Sequence, residues 1–281
     1  MRNLTALILA IGIGFTGCGG GSSRIPTEIS FYENLDLART AAAKAKKPMI
    51  IQFYAGWSAY SDTLEKITFA DSIVISLSKD ILFVRIDSEK DTAIAGKFAI
   101  AGYPTVVVTK PDGTEIDRIL GYLPPNEFYN QIQLYLQGKE ILGDYLTRLE
   151  DEPDNPEYLM LIGEKYAGRS DWTNAIEFYN RVLQLDQDNR RGLGSRALAA
   201  ICDVHARSQN YQAALEIANE LIRRYPTSPE AENAVALTGF FTAQSGDNKN
   251  AAAIYRTYLQ QFPNGKSDWV LKRLADIEEN L

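Results

Sequence analysis

Few side chains in this sequence can do nucleophilic, redox or histidine chemistry. There are two cysteines, Cys18 and Cys202, and one histidine, His205. A structural zinc site takes four ligands of those types, so an ordinary one is excluded, and no metal or cofactor is expected. The stretch FYAGWSAYSDTLEKITF, residues 53–69, is where chemistry would be sought, because an apolar run opens there onto Trp57, Ser58, Ala59, Tyr60 and Ser61. A serine nucleophile needs a base and an orienting acid, and the only histidine lies far along the chain in a segment of different character. No catalytic residue is therefore expected. The plainer role of Ser58 and Ser61 is to cap a helix with their hydroxyl oxygens. Binding without chemistry is a second role: Trp57, Tyr60, Tyr103 and Pro104 are expected to form a flat aromatic ridge beside backbone groups that could pair with an extended peptide. Trp57 suits a half-buried structural position equally well.

The elements that position this stretch alternate in period. Asn34 to Lys46 is rich in Ala and Lys with apolar residues at helical spacing, and Pro48 introduces Met49 to Tyr54, a run fit for a buried strand. A helix starts near Ser58 to Asp62 and runs through Leu64, Ile67, Ile73 and Leu77, with a break near Asp71. Ile81 to Asp87 is a strand and Asp91 to Phe98 a helix. TVVVTK and EIDRILGY then make a hairpin around Pro111-Asp112-Gly113, and Pro125 to Leu136 is the last helix of the set. This is the pattern of an α/β domain.

That order, with FYAGW before a helix and Gly102-Tyr103-Pro104-Thr105 before the third strand, resembles the thioredoxin fold. KPMIIQFYAGWxxxxDTLEKITFADSIV is similar to the thioredoxin-like domains of envelope thiol:disulfide interchange proteins. The resemblance implies a W-C-x-x-C pair whose nucleophilic cysteine falls on Ser58 and whose resolving cysteine falls on Ser61, with a cis proline at Pro104. A hydroxyl cannot replace a thiolate or enter disulfide exchange, so redox catalysis at the motif is expected to be lost. Gln52 stands where many thioredoxins bury a proton-handling Asp, and a neutral amide there agrees with a site that moves no proton.

Beyond Lys139 strands stop and helices continue. WTNAIEFYNRVLQLDQ (172–187), YQAALEIANELIRRYP (211–226) and NKNAAAIYRTYLQQFP (248–263) align as three helices of one design. A small residue stands twelve positions before each aligned alanine: Gly163, Cys202 and Gly239. These resemble tetratricopeptide repeats, in which small residues let paired helices approach. The repeats step by 39 and 37 residues, so longer first helices are expected to take up the insertions. Ser267 to Asn280, with Trp269, Leu271, Leu274 and Ile277, is expected to close the stack. Cys202 and His205 then have packing roles. Glu164, Lys165, Asp203, Arg207 and Asn233 are expected to line the face formed by the first helices. The acidic Glu150 to Asp154 turn is expected to be solvated surface, since calcium loops need longer, regular ligand spacing.

Residues 1–18 read as a lipoprotein signal: Arg2, an apolar run from Leu4 to Phe15, then Thr16-Gly17-Cys18, a lipobox-like end with Phe15 where Leu is usual. Cys18 would carry the lipid, and residues 19–29, beginning GGGSS, would be a flexible tether. Residues 30–138 form the thioredoxin-like domain and 139–281 the helical repeat domain. With 29 Lys and Arg against 36 Asp and Glu, a net charge of −7 offers no basic excess for nucleic acid. The expected protein is a redox-inactive, periplasm-facing interaction module, a scaffold, adaptor or chaperone-like lipoprotein whose partners are envelope proteins or peptides. The outer membrane is favoured because Gly19 is not the acidic residue that retains some lipoproteins in the inner one. The alternative is a thiol:disulfide oxidoreductase relative with a residual or partner-assisted redox role, which only Cys202 could serve.

Overall fold

The computed structural model describes residues 26–279, so Cys18 and the signal and anchor expected around it lie outside the described residues. Five strands form one mixed sheet in the order β1-β3-β2-β4-β5. These are β1 (Phe31–Tyr32), β2 (Met49–Tyr54), β3 (Leu82–Asp87), β4 (Thr105–Thr109) and β5 (Glu115–Leu120). The first three pair in parallel; β4 is antiparallel to both its neighbours. Central β2 is apolar on both faces because both are covered. Met49, Ile51 and Phe53 pack under α1 (Leu35–Ala45), and Ile50 packs beneath α5 (Pro125–Leu136) with Leu64. Strand β1 was not anticipated: two residues leave no period to detect, and only pairing with Phe83 and Val84 makes them a strand.

Helix α2 (Ala59–Thr63) does not run on regularly. It passes into a π turn over Leu64–Thr68, closed by Phe69 N–H donating to Leu64 O at 2.9 Å. One extra residue per turn rotates the following side chains by about 100°. Leu64, Thr68 and Phe69 therefore face the core, and Ile67, expected inside, is 51% exposed. Asp71 caps α3 (Ser72–Ser76), and α4 (Thr92–Lys97) follows β3.

The helical part comprises α6 (Leu142–Asp151), α7 (Pro156–Gly168), α8 (Trp172–Leu185), α9 (Leu193–Arg207), α10 (Tyr211–Arg224), α11 (Pro229–Gln244), α12 (Asn248–Gln261) and α13 (Ser267–Glu278). Helices α7/α8, α9/α10 and α11/α12 are the three repeats. Each turn within a repeat is built alike: a left-handed residue (Ser170, Gln209, Gly246), then a cap (Asp171, Asn210, Asp247) accepting from the third amide beyond it. The first helices lengthen from 13 to 15 to 16 residues and take up part of the insertions; the rest of the 39-residue step lies in the connection 186–192 between α8 and α9, which is longer than the connection 225–228 between α10 and α11. Helix α13 buries Val270, Leu274 and Ile277 and leaves Leu271 exposed, correcting its place in the closing contact.

Helix contact within a repeat depends on matched sizes. A Cβ on Gly163 would come within 2.5 Å of the Tyr179 ring, and one on Gly239 within 2.5 Å of Tyr255. In the middle repeat the position facing the small residue is Ala218 instead of tyrosine, and the small residue is accordingly the larger Cys202, whose thiol donates to Ala214 O at 3.4 Å.

The two parts meet along β5. Asp117, fully buried, accepts from Lys165 (3.1 Å), Arg169 (2.9 Å) and the amide of Leu142 (3.0 Å). Arg118 donates to the carbonyls of Phe98 and Gly168, each at 3.0 Å, and Ser170 Oγ donates to Ala99 O at 3.1 Å.

The size matching gives a stability test. Gly163→Ala will cost about 1–3 kcal/mol by overpacking against Tyr179. Gly163→Cys/Tyr179→Ala, which copies the Cys202/Ala218 pair, will cost less than the sum of its single changes in urea unfolding.

Candidate functional site

The site forms where β2 ends. Ala55 is buried, Gly56 N–H donates to Glu89 Oε2 at 2.8 Å, and Ser58 N–H bonds to Ala55 O, turning the chain into α2. Ser58 is the N-cap: its Oγ accepts from Ser61 N–H at 3.3 Å and donates to Tyr103 O at 3.2 Å. The Tyr103-Pro104 peptide is cis, and Pro104 O accepts from Gly121 N–H at 2.8 Å. Ser58 is thus joined to the cis-proline loop by a side-chain hydrogen bond.

Ser61 does not cap. Its hydroxyl points inward, 3% exposed, and has no hydrogen-bond partner among the described residues. Gln52 is fully buried, with neither its carbonyl nor its amide nitrogen partnered. Alternation along β2 places Gln52 on the face of Ile50, the side covered by Leu64, which lies one turn beyond Ser61 on the inner side of the helix. Two neutral polar groups therefore stand unpaired where the resemblance implies a resolving thiol and a proton-handling acid. An unpartnered buried polar group costs about 1–3 kcal/mol.

The aromatic ridge differs from expectation. Trp57 (73% exposed) and Tyr60 (67%) are open to solvent, which settles the alternative of a half-buried Trp57. Trp57 meets Tyr103 edge-on, centroids 5.8 Å apart and planes at 84°, so the surface is stepped, not flat. Pro104 is buried beneath it and takes no part in the exposed ridge. Ile67, two turns further along the same helix, is exposed as well. Sequence periodicity hid it because the π turn changes the register.

The five helical candidates do not share one environment. Glu164 reaches Arg196 of the next first helix at 3.6 Å. Asp203 and Arg207 pair within α9 at 3.5 Å, with the Arg207 guanidinium 5.1 Å from the Trp172 ring centroid. Asn233 is half-buried. Lys165 must be withdrawn: it is bound to Asp117 and Tyr135 at the junction with β5, and burial lowers its pKa against the pull of Asp117. Arg196 was missed, although the 39-residue step places it level with Glu157 and the next step carries on to Asn233.

No reactive constellation is present in the motif. The cap is the Ser58 hydroxyl, and Asp62 is paired with Lys66 at 2.9 Å. No group of three His, Cys, Asp or Glu among the described residues could hold a metal ion. Cys202 is 3% exposed, and burial pushes its thiol up to about 12.

Residues 35–135 match the family profile described as a thioredoxin-like domain, and residues 199–266 match that of the tetratricopeptide repeat. Thioredoxin Y of Oryza sativa subsp. japonica is 28% identical over 42% of this chain and 67% of its own length. Thioredoxin Y2 of Arabidopsis thaliana is 33% identical over 34% of this chain and 54% of its own. The thiol:disulfide interchange protein DsbD of Pectobacterium atrosepticum is 28% identical over 36% of this chain and 19% of its own. The match thus spans about two thirds, half and one fifth of these relatives, respectively. The chain carries a thioredoxin-like domain followed by tetratricopeptide repeats, and the pairing is that of a protein-interaction module.

The position of Cys202 gives the second test. Burial both disfavours the thiolate and keeps reagents from the sulfur. Native protein will resist alkylation by iodoacetamide over hours, while guanidinium-unfolded protein will label fully at Cys202, read by mass spectrometry.

Proposed function

We propose that this thioredoxin-like domain followed by tetratricopeptide repeats serves as a membrane-tethered, periplasm-facing interaction module that no longer exchanges disulfides. The observation that carries this reading is Ser58. It holds the N-cap against the cis-proline loop, with hydrogen bonds to Ser61 N–H and Tyr103 O, where exchange requires a thiolate. Ser61 supplies no second sulfur and Gln52 no proton. The domain keeps its sheet and its exposed Trp57 and Tyr60 without the reacting atoms.

The helical repeats are the favoured binding surface. Glu164, Asp203, Arg207 and Asn233 lie on its first helices, and repeat stacks present extended faces. The stepped ridge of Trp57, Tyr60 and Tyr103 is the second surface. Clients are envelope proteins or peptides. The residual redox reading has only Cys202 to rest on, and its depth in the α9/α10 contact argues against it.

Tethering rests on the sequence of residues 1–23. An apolar run ending in Thr16-Gly17-Cys18 suits acylation of Cys18, and the GGGSS that follows suits a flexible spacer. Outer-membrane placement is favoured on Gly19.

Two experiments test these claims. Insulin reduction with dithiothreitol will proceed no faster with the mature protein than without it; thiol-dependent turnover that survives Cys202→Ser overturns the redox-silent reading. In cells fed a clickable fatty acid, wild type will take up label and Cys18→Ser will not, and label retained by Cys18→Ser refutes the anchor assignment.

A further inference from the structure

Two grooves run between the second helices of successive repeats. One, about 660 Å³, lies between α8 and α10 over α9; the other, about 640 Å³, lies between α10 and α12 over α11. They are the same groove repeated. Ile176 and Asn180 of the first correspond to Leu215 and Asn219 of the second at the 39-residue step; His205 and Ile217 correspond to Thr242 and Ile254 at the 37-residue step.

Their chemistry is specific. No residue lining the second groove is ionisable, in a chain that is 23% charged. The first holds three ionisable residues: His205, and Glu220 and Arg224, which pair with each other at 3.0 Å. Thr238, Thr242 and Thr257 donate their hydroxyl protons to carbonyls of their own helices at 2.7, 2.7 and 3.0 Å, so their remaining lone pairs are left for an outside donor. Asn180 and Asn219 are exposed at equivalent lips, and neither side chain is hydrogen-bonded to a described residue. A primary amide can give to a peptide carbonyl and accept from a peptide N–H at once.

We infer that the paired grooves take one extended, uncharged polypeptide segment. Its main chain pairs with Asn180 and Asn219, and alternate apolar side chains enter the grooves. A charged segment would lose hydration in the second groove with no counter-charge to replace it, and in the first it would meet only His205 and the Glu220 and Arg224 side chains already paired with each other. A helix, with its main-chain groups already bonded internally, would leave both amides and the threonine lone pairs unmet. The inference rests on the reading of the repeats as a protein-interaction module and gives them a second face, between the second helices, apart from the first-helix residues Glu164, Asp203, Arg207 and Asn233.

The test uses the full chain and a defined probe: an acetylated, amidated peptide of about twelve residues alternating Val or Ile with Ser or Asn, carrying a neutral fluorophore. Matched versions carry two Asp or two Lys. Anisotropy will show binding of the neutral peptide and at least tenfold weaker binding of both charged versions. Asn180→Ala/Asn219→Ala, and separately Ala253→Glu at the exposed wall of the second groove, will each weaken the neutral peptide at least tenfold with circular dichroism unchanged. Hydrogen exchange will slow on α8, α10 and α12. No binding of the neutral peptide, equal binding of the charged ones, or affinity unmoved by these substitutions overturns the inference. The broader reading fails on a separate result: quantified capture from a native envelope fraction in which the intact wild type retains no protein above a control bait.

Discussion

The buried carboxylate of Asp117 is the contact on which the arrangement of the whole chain depends. It sits on the edge strand of the sheet yet bonds Lys165 and Arg169 of α7 and its C-terminal turn, and the first amide of α6. Removing one partner from such a cluster leaves charge without compensation, a loss of about 3–5 kcal/mol. The cluster also covers an edge that would otherwise expose unpaired strand groups. Arg118 of β5 ties the carbonyl of Phe98 to that of Gly168, and Ser170 of the helical part donates to Ala99, in the segment that leads to the cis proline. The exposed ridge and the repeat stack are therefore held on one frame.

That frame keeps a redox architecture around a motif without redox atoms. Ser58 retains the geometry of a capping position, which a hydroxyl fills as well as a thiol. Ser61 and Gln52 retain only the burial. Both side chains lie inside with unmet hydrogen bonds. Trp57 and Tyr60 stay outside, where aromatic area is free to serve contact instead of chemistry.

Much of this was legible in the residues. Strand β2 and helix α5 read directly, because a continuous apolar run after a proline and a proline-started amphipathic helix each have one local solution. The repeats were legible because their period survives insertion. What escaped is what depends on contacts across the fold. Strand β1 exists only through its neighbour, and the π turn shifts Ile67 outward while Thr68 and Phe69 take its place. Lys165 looks like any surface lysine until Asp117, 48 positions earlier, is set beside it. The serine pair was visible as a pattern, but only the structure separates the capping Ser58 from the orphaned Ser61.

The matched sizes inside each repeat bear on how such a chain can change. Gly163 answers to Tyr179, Cys202 to Ala218 and Gly239 to Tyr255, and both members of every match belong to the same hairpin. Duplication or loss of an entire hairpin keeps its internal fit. Recombination that cuts between the two helices of a hairpin can join a cysteine to a tyrosine and create a steric conflict at once. The seams along which this domain can grow, shrink or be grafted are therefore the turns after α8 and α10, not the capped turns within each repeat.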